Sequence, residues 1–316
     1  MTTLTFDPTA FVPPLTNKII FITGGTAGLG RETILSLTTH NPAHIYFSGR
    51  SQSSADKLIA EVREAQKDAA QQVPLTFIRI DLASMASIKA GAADFVSREA
   101  RLDIFFANAG VMALPPGLTE DGYEVQFGTN HLGHAALVKL LLPSMEKTAA
   151  ADSDVRIIWN TSLGYKFAPG ISFDSLKTPQ NNFSPFYALS DWCRYGQSKL
   201  ANLLYAREIA KRHPSIVSVA IHPGTSFTGL VTGLGTFNRW FVWATTLKTR
   251  IPVEQCAWNQ QWAAVAPQGS GEREVVSGVY YEPVGLKGEL SKPAADDALA
   301  EELWEWTQKE LSGHGI

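Results

Sequence analysis

The segment Lys18-Ile-Ile-Phe-Ile-Thr-Gly-Gly-Thr-Ala-Gly-Leu-Gly30 decides the fold of this chain. Its apolar run, Ile19 to Ile22, has the length of a buried strand, and a glycine-rich turn leads from it into a helix-compatible segment, Arg31 to Thr39. A strand that ends at a glycine turn and continues as a helix directs backbone N–H groups and the positive end of a helix dipole at one point. The segment therefore predicts a phosphate-binding turn.

The glycines of this turn stand at positions 24, 25, 28 and 30. Glycine leaves room for a pyrophosphate to approach the backbone closely. The spacing G-x-x-x-G-x-G differs from the commoner dinucleotide fingerprint G-x-G-x-x-G. Taken alone, it is also compatible with an ordinary glycine-rich turn between a strand and a helix.

Apolar runs alternate with helix-compatible segments through the rest of the chain. The runs are His44 to Phe47, Leu75 to Ile80, Leu102 to Ala107, Val155 to Trp159 and Ile216 to Ile221. Because these runs are continuous rather than alternating, they predict an α/β Rossmann fold: a doubly wound, mostly parallel sheet of about seven strands with helices on both faces. Residues 1–17, in which prolines disfavour a helix, are predicted to be an arm, and residues 18–316 a single dinucleotide-binding catalytic domain.

The composition narrows the classes of protein and partner. The 316 residues are 45% hydrophobic and 18% charged, with a net charge of -3 and no basic block, which argues against nucleic acid as a partner. Cys193 and Cys256 form neither a disulfide framework nor a metal-ligand pattern. We see no signal peptide between Met1 and Pro14 and no run of about 18 apolar residues that could span a membrane. These features favour a cytoplasmic protein.

Polar residues follow the predicted strands where each strand ends. They are Thr23, Arg50, Asp81, Asn108, Ser162 and His222-Pro223-Gly224. In an open α/β sheet, ligands bind beyond the carboxyl ends of the strands. We therefore expect these residues to converge on one crevice.

Arg50 indicates which dinucleotide binds there. An NAD site usually carries an acidic residue about 20 positions after the glycine turn, but no Asp or Glu lies between Tyr46 and Ser54. An arginine at this place can bind a 2′-phosphate through two hydrogen bonds, and the missing carboxylate removes the repulsion that would exclude it. The sequence predicts NADP(H), although a surface arginine at the end of a strand would look the same.

Tyr195 and Lys199 stand four residues apart, which places the phenol and the ammonium on one helix face. A cation near a tyrosine stabilises the phenolate and suits the phenol to acid–base chemistry. Ser162 follows a predicted strand and could hydrogen-bond a carbonyl oxygen, although a serine there could equally cap a turn. His131 and His134 are three apart, but no third ligand accompanies them, so no metal site is predicted.

Several motifs together resemble those of the short-chain dehydrogenase/reductase family over roughly residues 18 to 285. They are Thr23-Gly24-x-x-x-Gly28-x-Gly30, Asn108-Ala109-Gly110, Asn130, Ser162, Tyr195-x-x-x-Lys199 and Pro223-Gly224. Within this family the chain is most similar to the branch of retinol dehydrogenases, protochlorophyllide reductases and fungal secondary-metabolite reductases. The residues that carry this likeness are Asn130-His-Leu-Gly-His134, Tyr195-Gly-Gln-Ser-Lys-Leu-Ala-Asn202 and Gly278-Val-Tyr-Tyr281.

The resemblance implies a role for each matching catalytic residue. Tyr195 would be the general acid in carbonyl reduction and the base in alcohol oxidation, and Lys199 would hold the nicotinamide ribose and lower the Tyr195 pKa. Ser162 would orient the carbonyl, and Asn130 would anchor a water that relays protons to Lys199. The implied cofactor contacts are Thr23, Gly24, Thr26, Gly28, Leu29, Gly30, Arg50, Asp81, Leu82, Asn108, Ala109, Gly110, Tyr195, Lys199, Pro223, Gly224 and Thr225.

Two segments depart from the common pattern of the family or vary within it. Residues 163–190 form an insertion before Tyr195, and in relatives such an insertion can cover the dimer surface, so monomer and homodimer both remain open. Residues 225–252 would form the substrate lid, with Phe227 and Trp240 lining the substrate. So aromatic a lid predicts a bulky, largely apolar substrate, although its aromatic residues could instead close the core or rest on a membrane surface.

The leading hypothesis is an NADPH-dependent reductase of a hydrophobic ketone or aldehyde, by resemblance one that acts in fungal polyketide-type metabolism. Its partner would be a small-molecule carbonyl substrate. The first alternative is an NADP-dependent alcohol dehydrogenase for a retinoid- or steroid-like substrate. The second is a dinucleotide-binding sensor without catalysis, which would have no need to keep Ser162, Tyr195 and Lys199 together.

Overall fold

The computed structural model describes residues 6–67, 72–151, 153–183, 187–226, 231, 234–247, 249–271 and 274–316. Its strands are β1 (Ile19–Thr23), β2 (His44–Gly49), β3 (Leu75–Arg79), β4 (Ile104–Ala107), β5 (Arg156–Asn160), β6 (Val217–Ile221), β7 (Tyr280–Glu282) and β8 (Leu286–Lys287). Its α-helices are α1 (Pro8–Phe11), α2 (Gly28–Leu37), α3 (Gln52–Ala65), α4 (Met85–Arg98), α5 (Val125–Phe127), α6 (Gly133–Ala150), α7 (Tyr187–Arg212), α8 (Thr236–Thr246), α9 (Val253–Val265) and α10 (Asp297–Gly313).

The eight strands form one sheet in the order β3-β2-β1-β4-β5-β6-β7-β8. All neighbouring strands run parallel except β7 and β8, which are antiparallel. The chain moves outward from β1 to β3 and then returns to the other side of β1 to continue with β4. This reversal opens a crevice between the carboxyl ends of β1 and β4, where ligands of such sheets bind.

Strands β1 to β7 divide their side chains between two hydrophobic cores. In β1, Ile19 and Phe21 pack into the core under α4, α6, α7 and α10, whereas Ile20 and Ile22 pack into the core under α2, α3 and α9. Alternate residues of a strand point to opposite faces, so a run that is apolar throughout must be covered on both sides. The continuous apolar runs therefore correctly predicted the doubly wound Rossmann fold.

The structure differs from the sequence prediction at both ends of the chain. The sheet has eight strands rather than about seven, because the short antiparallel strand β8 extends the edge beyond β7. In the arm, a one-turn helix begins at Pro8, where proline is tolerated because the first N–H groups of a helix have no partner within it. Phe6, Val12 and Leu15 are buried, so the described part of the arm packs on the sheet domain.

Candidate active site

The glycine turn forms a narrow backbone cradle between β1 and α2. Gly24 and Gly28 have φ angles of 67° and 54°, values that glycine adopts without the strain of other residues. A Cβ atom on Gly30 would clash with the Gly24 carbonyl and lie 2.7 Å from Asn108 Nδ2. Ala27 precedes α2 without a side-chain cap. The first N–H groups of α2 therefore lack a capping side chain, and the turn fits a pyrophosphate.

Thr23 fastens this turn to the loop after β4. Its hydroxyl oxygen accepts hydrogen bonds from the backbone N–H groups of Asn108 (2.9 Å) and Ala109 (3.0 Å). The Asn108 side chain donates in return to the Thr23 carbonyl at 2.7 Å. The glycine turn and the Asn108-Ala109-Gly110 segment are thus held as one surface. On the same turn, Thr26 lies against Gly49 at the end of β2, and Leu29 accepts a hydrogen bond from Thr33 through its carbonyl.

Tyr195 and Ser162 lie together at the carboxyl end of β5. A Cβ atom on Gly164 would lie 2.9 Å from Tyr195 Cε1 and 3.4 Å from Ser162 Oγ, so the phenol ring and the serine hydroxyl flank one glycine. The Tyr195 side chain is buried, and Ser162 Oγ accepts a hydrogen bond from the Gly164 N–H at 3.1 Å. Burial raises the pKa of Tyr195 to about 12, and the nearby Ser162 hydroxyl opposes the rise only in part. In the cofactor-free protein the phenol therefore carries its proton across the physiological range.

Lys199 lies one helical turn after Tyr195 on α7 and is also buried. Its ammonium group donates to the Asn160 carbonyl at 3.0 Å and lies 5.8 Å from the centroid of the Tyr195 ring. Burial lowers the pKa of Lys199 to about 8. The helix thus brings the predicted phenol and ammonium to one place, with the ammonium in an environment that disfavours its charge.

Asn130 lies in a π-helical turn, Gly128–Leu132, between α5 and α6. Such turns are frequent at functional sites. The Asn130 side chain donates to the Val111 carbonyl and the Ser198 hydroxyl at 2.8 and 2.9 Å, and accepts from the Val111 N–H. A Cβ atom on Gly110 would lie 3.0 Å from Asn130 Oδ1 and 3.4 Å from Lys199 Nζ. Asn130 and Lys199 therefore flank the same glycine.

The remaining predicted cofactor contacts lie at the same edge of the sheet. Asp81 follows β3 and accepts from the Ala83 N–H through its carboxylate, and Leu82 beside it is buried against Gly133. Beyond β6, Pro223 is buried and Gly224 has a φ of 95°. Thr225 hydrogen-bonds the Thr249 carbonyl at 3.0 Å and joins the start of the lid to its end.

Two arginines near the crevice differ in their contacts. Arg50 follows β2, is exposed, and forms no ion pair with another residue of the described ranges. Arg31 instead pairs with Glu32 and Glu61. Ser51 is the N-cap of α3 and accepts from the Ser54 N–H. Of these two arginines, only Arg50 has a side chain without a carboxylate partner in the described ranges.

The lid helix α8 faces the Tyr195 region with one side only. Val242 is buried in a cluster with Tyr195, Trp192 and Ala113, and Asn238 accepts a hydrogen bond from the Trp192 indole at 3.1 Å. Trp240 lies on the opposite side and is 60% exposed. The structure therefore does not bring Trp240 to the reaction centre, and its exposure also argues against core closure by this residue. Phe227 lies outside the described residues.

A buried ion network beside Tyr195, which was not predicted, connects α7 to the insertion. Arg194 is fully buried; it pairs with Glu124 at 3.3 Å and Asp191 at 2.5 Å, and donates to the carbonyls of Gln180 and Leu114. Burial raises the pKa of Glu124 to about 6. Asp191 stands three residues before Arg194, but Glu124 and Leu114 are distant along the chain, so the sequence did not reveal the network.

His131 and His134 are both fully buried and do not converge on a metal site. Burial lowers the pKa of each imidazole to about 3, so both are neutral. Across the described ranges, no cluster of three or more His, Cys, Asp or Glu side chains is arranged to hold a metal ion. None of the described helices combines the length and the apolar character required to cross a bilayer.

Comparisons with known proteins agree with this geometry. Residues 18–164 match the model of the short chain dehydrogenase family. An uncharacterized oxidoreductase of Schizosaccharomyces pombe is 34% identical, over 94% of this chain and 86% of the relative. A short-chain dehydrogenase/reductase of Armillaria gallica is 32% identical, over 94% of this chain and 91% of the relative. Human retinol dehydrogenase 14 is also 32% identical, over 91% of this chain and 84% of the relative.

Solved structures share the fold at lower identity. A putative uncharacterized protein from Mycobacterium paratuberculosis superposes with a TM-score of 0.71 at 24% identity, covering 97% of both chains. A 3-ketoacyl-(acyl-carrier-protein) reductase from Brucella melitensis, complexed with NADH, gives 0.61 at 19% identity over 86% of this chain and 98% of the other. An NADPH-bound carbonyl reductase from chicken fatty liver gives 0.59 at 20%, over 90% and 97%.

Proposed function

This chain belongs to the short-chain dehydrogenase/reductase family, and from that premise we propose that it is an NADPH-dependent reductase of a bulky hydrophobic ketone or aldehyde. The observation that carries the proposal is the convergence of the buried Tyr195 ring, the Ser162 hydroxyl and the Lys199 ammonium at the carboxyl end of β5. A phenol that keeps its proton up to a pKa of about 12 is suited to donate that proton to a developing alkoxide. In the cofactor-free protein the phenol is thus in the protonated form that carbonyl reduction requires.

The residues have separate tasks in this proposal. Ser162 orients the carbonyl oxygen toward Tyr195, and Tyr195 gives up its proton as negative charge develops on that oxygen. Lys199 places a positive charge 5.8 Å from the Tyr195 ring, which stabilises the phenolate left behind. Asn130, which flanks Gly110 together with Lys199, anchors the water that returns the proton. A bound nicotinamide supplies the hydride.

The crevice between β1 and β4 would hold the dinucleotide. The turn with Gly24, Gly28 and Gly30 would take the pyrophosphate, because the first N–H groups of α2 lack a capping side chain; Gly30 itself is needed because a Cβ there would clash with the Gly24 carbonyl and so prevent the turn from closing. Asp81 and Leu82 border the adenine. Arg50 binds the 2′-phosphate, and the absence of Asp and Glu between Tyr46 and Ser54 supports NADPH over NADH.

The wall beside Tyr195 supports an apolar substrate. The cluster around the phenol consists of Ala113, Trp192, Val231, Leu234 and Val242, with Met112 packed against it. Apolar and aromatic side chains favour a hydrophobic ligand, while the few polar groups fix its orientation. An apolar substrate from fungal polyketide-type metabolism is compatible with this wall. The two free cysteines are compatible with the reducing conditions of the cytoplasm.

Human retinol dehydrogenase 14 is among the relatives, so oxidation of a retinoid-like alcohol is the second candidate. The same residues would then act in reverse, with Tyr195 as the base. A high pKa of Tyr195 opposes this direction at neutral pH, because the phenolate form is scarce. Comparing the two directions at pH 7 and pH 9 separates the candidates, since oxidation gains most from the higher pH.

Replacing Tyr195 by Phe tests the proposal. The variant keeps the ring and its packing on Trp192 but lacks the proton, so we expect turnover of aromatic ketones with NADPH to fall about 10²- to 10⁴-fold. Binding of NADPH, followed by fluorescence, should change little. Turnover equal to that of the unmodified protein would contradict the mechanism. NADPH binding without turnover of any carbonyl or alcohol by the unmodified protein would favour a sensor.

A further inference from the structure

His134 connects the glycine turn to Asn130. It lies in the first turn of α6 and is completely buried. Its Nδ1 atom is 2.8 Å from the Asn130 carbonyl oxygen, and its Nε2 atom is 2.8 Å from the Thr23 hydroxyl oxygen. One imidazole therefore contacts both a residue of the cofactor crevice and the residue that flanks Lys199.

The hydrogen bonds of His134 determine which nitrogen carries the proton. The imidazole is neutral, because burial and the nearby charge of Lys199 lower its pKa to about 3. The Asn130 carbonyl can only accept, so Nδ1 must donate to it. Nε2 is then an acceptor, and the Thr23 hydroxyl must donate to Nε2. If the Thr23 proton pointed elsewhere, two lone pairs would face each other at 2.8 Å.

This proton direction completes the hydrogen bonding of Thr23. Its hydroxyl oxygen accepts from the N–H groups of Asn108 and Ala109, which uses both lone pairs. Its single proton goes to His134 at 2.8 Å rather than to the more distant Phe106 carbonyl at 3.1 Å. His134 therefore fixes the rotamer through which Thr23 holds the loop after β4.

On its other side, His134 holds the main chain of Asn130. The side chain of Asn130 is separately held by Val111 and by Ser198, the residue before Lys199. The result is a buried chain of hydrogen bonds from Thr23 through His134 and Asn130 to Ser198. It joins the cofactor crevice to the helix that carries Tyr195 and Lys199.

We propose that His134 is a positioning residue. Its neutral imidazole forms two different hydrogen bonds, and together they fix the positions of Thr23 in the cofactor crevice and of Asn130 relative to each other. This rests on the proposed reductase function. The Thr23 bond supports cofactor binding, and the Asn130 bond supports the proton transfer through Lys199. Loss of one bond should then affect one kinetic quantity more than the other.

Two substitutions separate the bonds. His134→Asn places an amide N–H at the position of Nδ1 and keeps the bond to Asn130, but it does not reach Thr23. His134→Gln extends an amide to the position of Nε2 and keeps the bond to Thr23. For His134→Asn we expect the NADPH dissociation constant to rise about tenfold, with nearly unchanged kcat. For His134→Gln we expect about a tenfold lower kcat with a nearly unchanged dissociation constant.

His131 supplies the matched control. It is equally buried three residues earlier, and burial likewise lowers its pKa to about 3, but its Nε2 contacts Thr307 on α10 at 3.1 Å, away from the crevice. His131→Asn and His131→Gln should lower the melting temperature without separating kcat from NADPH affinity. The inference is overturned if the His134 variants behave as the His131 variants do.

The design also distinguishes this inference from the proposed function. NADPH affinity is measured directly by fluorescence titration, so the Thr23 bond is tested even if no carbonyl is reduced. If Tyr195→Phe abolishes turnover while both His134 variants retain normal kcat and affinity, the reductase function stands and the role of His134 is refuted. If Tyr195→Phe retains full turnover, the reductase mechanism fails instead.

Discussion

At the level of single residues, the two arginines near the crevice differ in whether their charge is already paired with a carboxylate. Arg50 forms no ion pair within the described chain, whereas Arg31 bonds two glutamates. The pKa of Arg31 is raised by its hydrogen bonds with Glu61 and Glu32, which outweigh the opposing effect of burial. A guanidinium held in this way would have to leave two carboxylates before it could bind a phosphate.

Replacing Arg50 by Ala should therefore change the choice of cofactor. We expect KM for NADPH to rise about 10- to 100-fold, because charge-assisted hydrogen bonds to the 2′-phosphate are lost. The kinetics with NADH should hardly change. Steady-state kinetics with both cofactors make the comparison, with Arg31→Ala as the control that retains the NADPH preference. Equal losses with NADPH and NADH in Arg50→Ala would show that Arg50 does not recognise the 2′-phosphate.

Lys199 illustrates a residue whose function opposes stability. Its charge is buried, and its pKa falls from 10.5 to about 8 because of that burial. Between these two pH values the unfolded chain binds more protons than the native protein, so this residue makes stability rise with pH. At pH 7 the residue is charged in both states, and the folded protein bears the cost of burying the charge.

Lys199→Met should stabilise the cofactor-free protein while removing its activity. The displaced pKa corresponds to about 3 kcal/mol, and loss of the bond to Asn160 removes about 1 kcal/mol, which leaves a gain of about 2 kcal/mol at pH 7. The gain should shrink toward pH 10.5. Denaturant unfolding at pH 7 and pH 9.5 measures it, with Lys211→Met on the same helix but exposed as the control. A variant less stable than the unmodified protein at both pH values would refute this account.

At the level of elements, α7 is held at the active site by the residue that precedes Tyr195. Arg194 joins α7 to the insertion through the Gln180 carbonyl and to the loop after β4 through the Leu114 carbonyl. Its charge is compensated by Glu124 and Asp191. A buried charge pair contributes little net stability, but removal of one partner leaves the other charge uncompensated.

Arg194→Met should consequently destabilise the protein by about 3 to 5 kcal/mol. Arg98→Met is the control, because the Arg98 side chain is 54% exposed and pairs with Asp94 on the surface of α4, and such surface pairs contribute little to stability. Urea unfolding of both variants provides the measurement. Similar losses for the two arginines would mean that the Arg194 network is not a structural support.

The lid helix α8 shows how one element presents different residues to the site and to solvent. Asn238 and Val242 are four residues apart and share the inner face, whereas Trp240 and Trp243 are three apart and share the outer face. The aromatic content of the segment predicted an apolar lid, but it could not indicate which aromatic residue faces inward. That depends on the rotation of the helix about its axis.

At the level of the whole molecule, the crevice lies at the carboxyl ends of the neighbouring strands β1 and β4. Here the chain stops adding strands on one side of β1 and begins to add them on the other. Hydrogen bonds between Thr23 and the loop after β4 connect the halves at this point. The cores on the two faces of the sheet share strands β1 to β7. A ligand bound across the crevice therefore contacts elements from both halves.

NADPH should accordingly raise the melting temperature of the whole protein in one transition. A ligand that binds only the native state at a concentration 100 times its dissociation constant adds about 2.7 kcal/mol. Calorimetry with NADPH and NADH at equal concentrations measures the effect, and NADPH should give the larger shift. No shift with either nucleotide would contradict dinucleotide binding. A shift of equal size with both would contradict the proposed preference for NADPH.

The sequence by itself determined the sheet, the glycine turn between β1 and α2, and the placement of Tyr195 and Lys199 on one helix face. These features are local: apolar runs of strand length, glycines between a strand and a helix, and two side chains one helical turn apart. The predicted run Ile216 to Ile221 agrees with β6, Val217–Ile221, to within one residue. Local patterns persist whatever the distant parts of the chain do.

Only the tertiary structure decided the relations between distant segments. Arg194 finds Glu124 across 70 positions of sequence, and His134 contacts Thr23 across 111, so no spacing along the chain reveals either pair. The pKa values of the site residues likewise depend on the tertiary structure. The resemblance suggested that Lys199 lowers the pKa of Tyr195. In the folded protein, burial is the main influence on the pKa of both residues, and it raises the pKa of the Tyr195 phenol to about 12. Desolvation depends on everything packed around a group, and that is known only once the chain has folded.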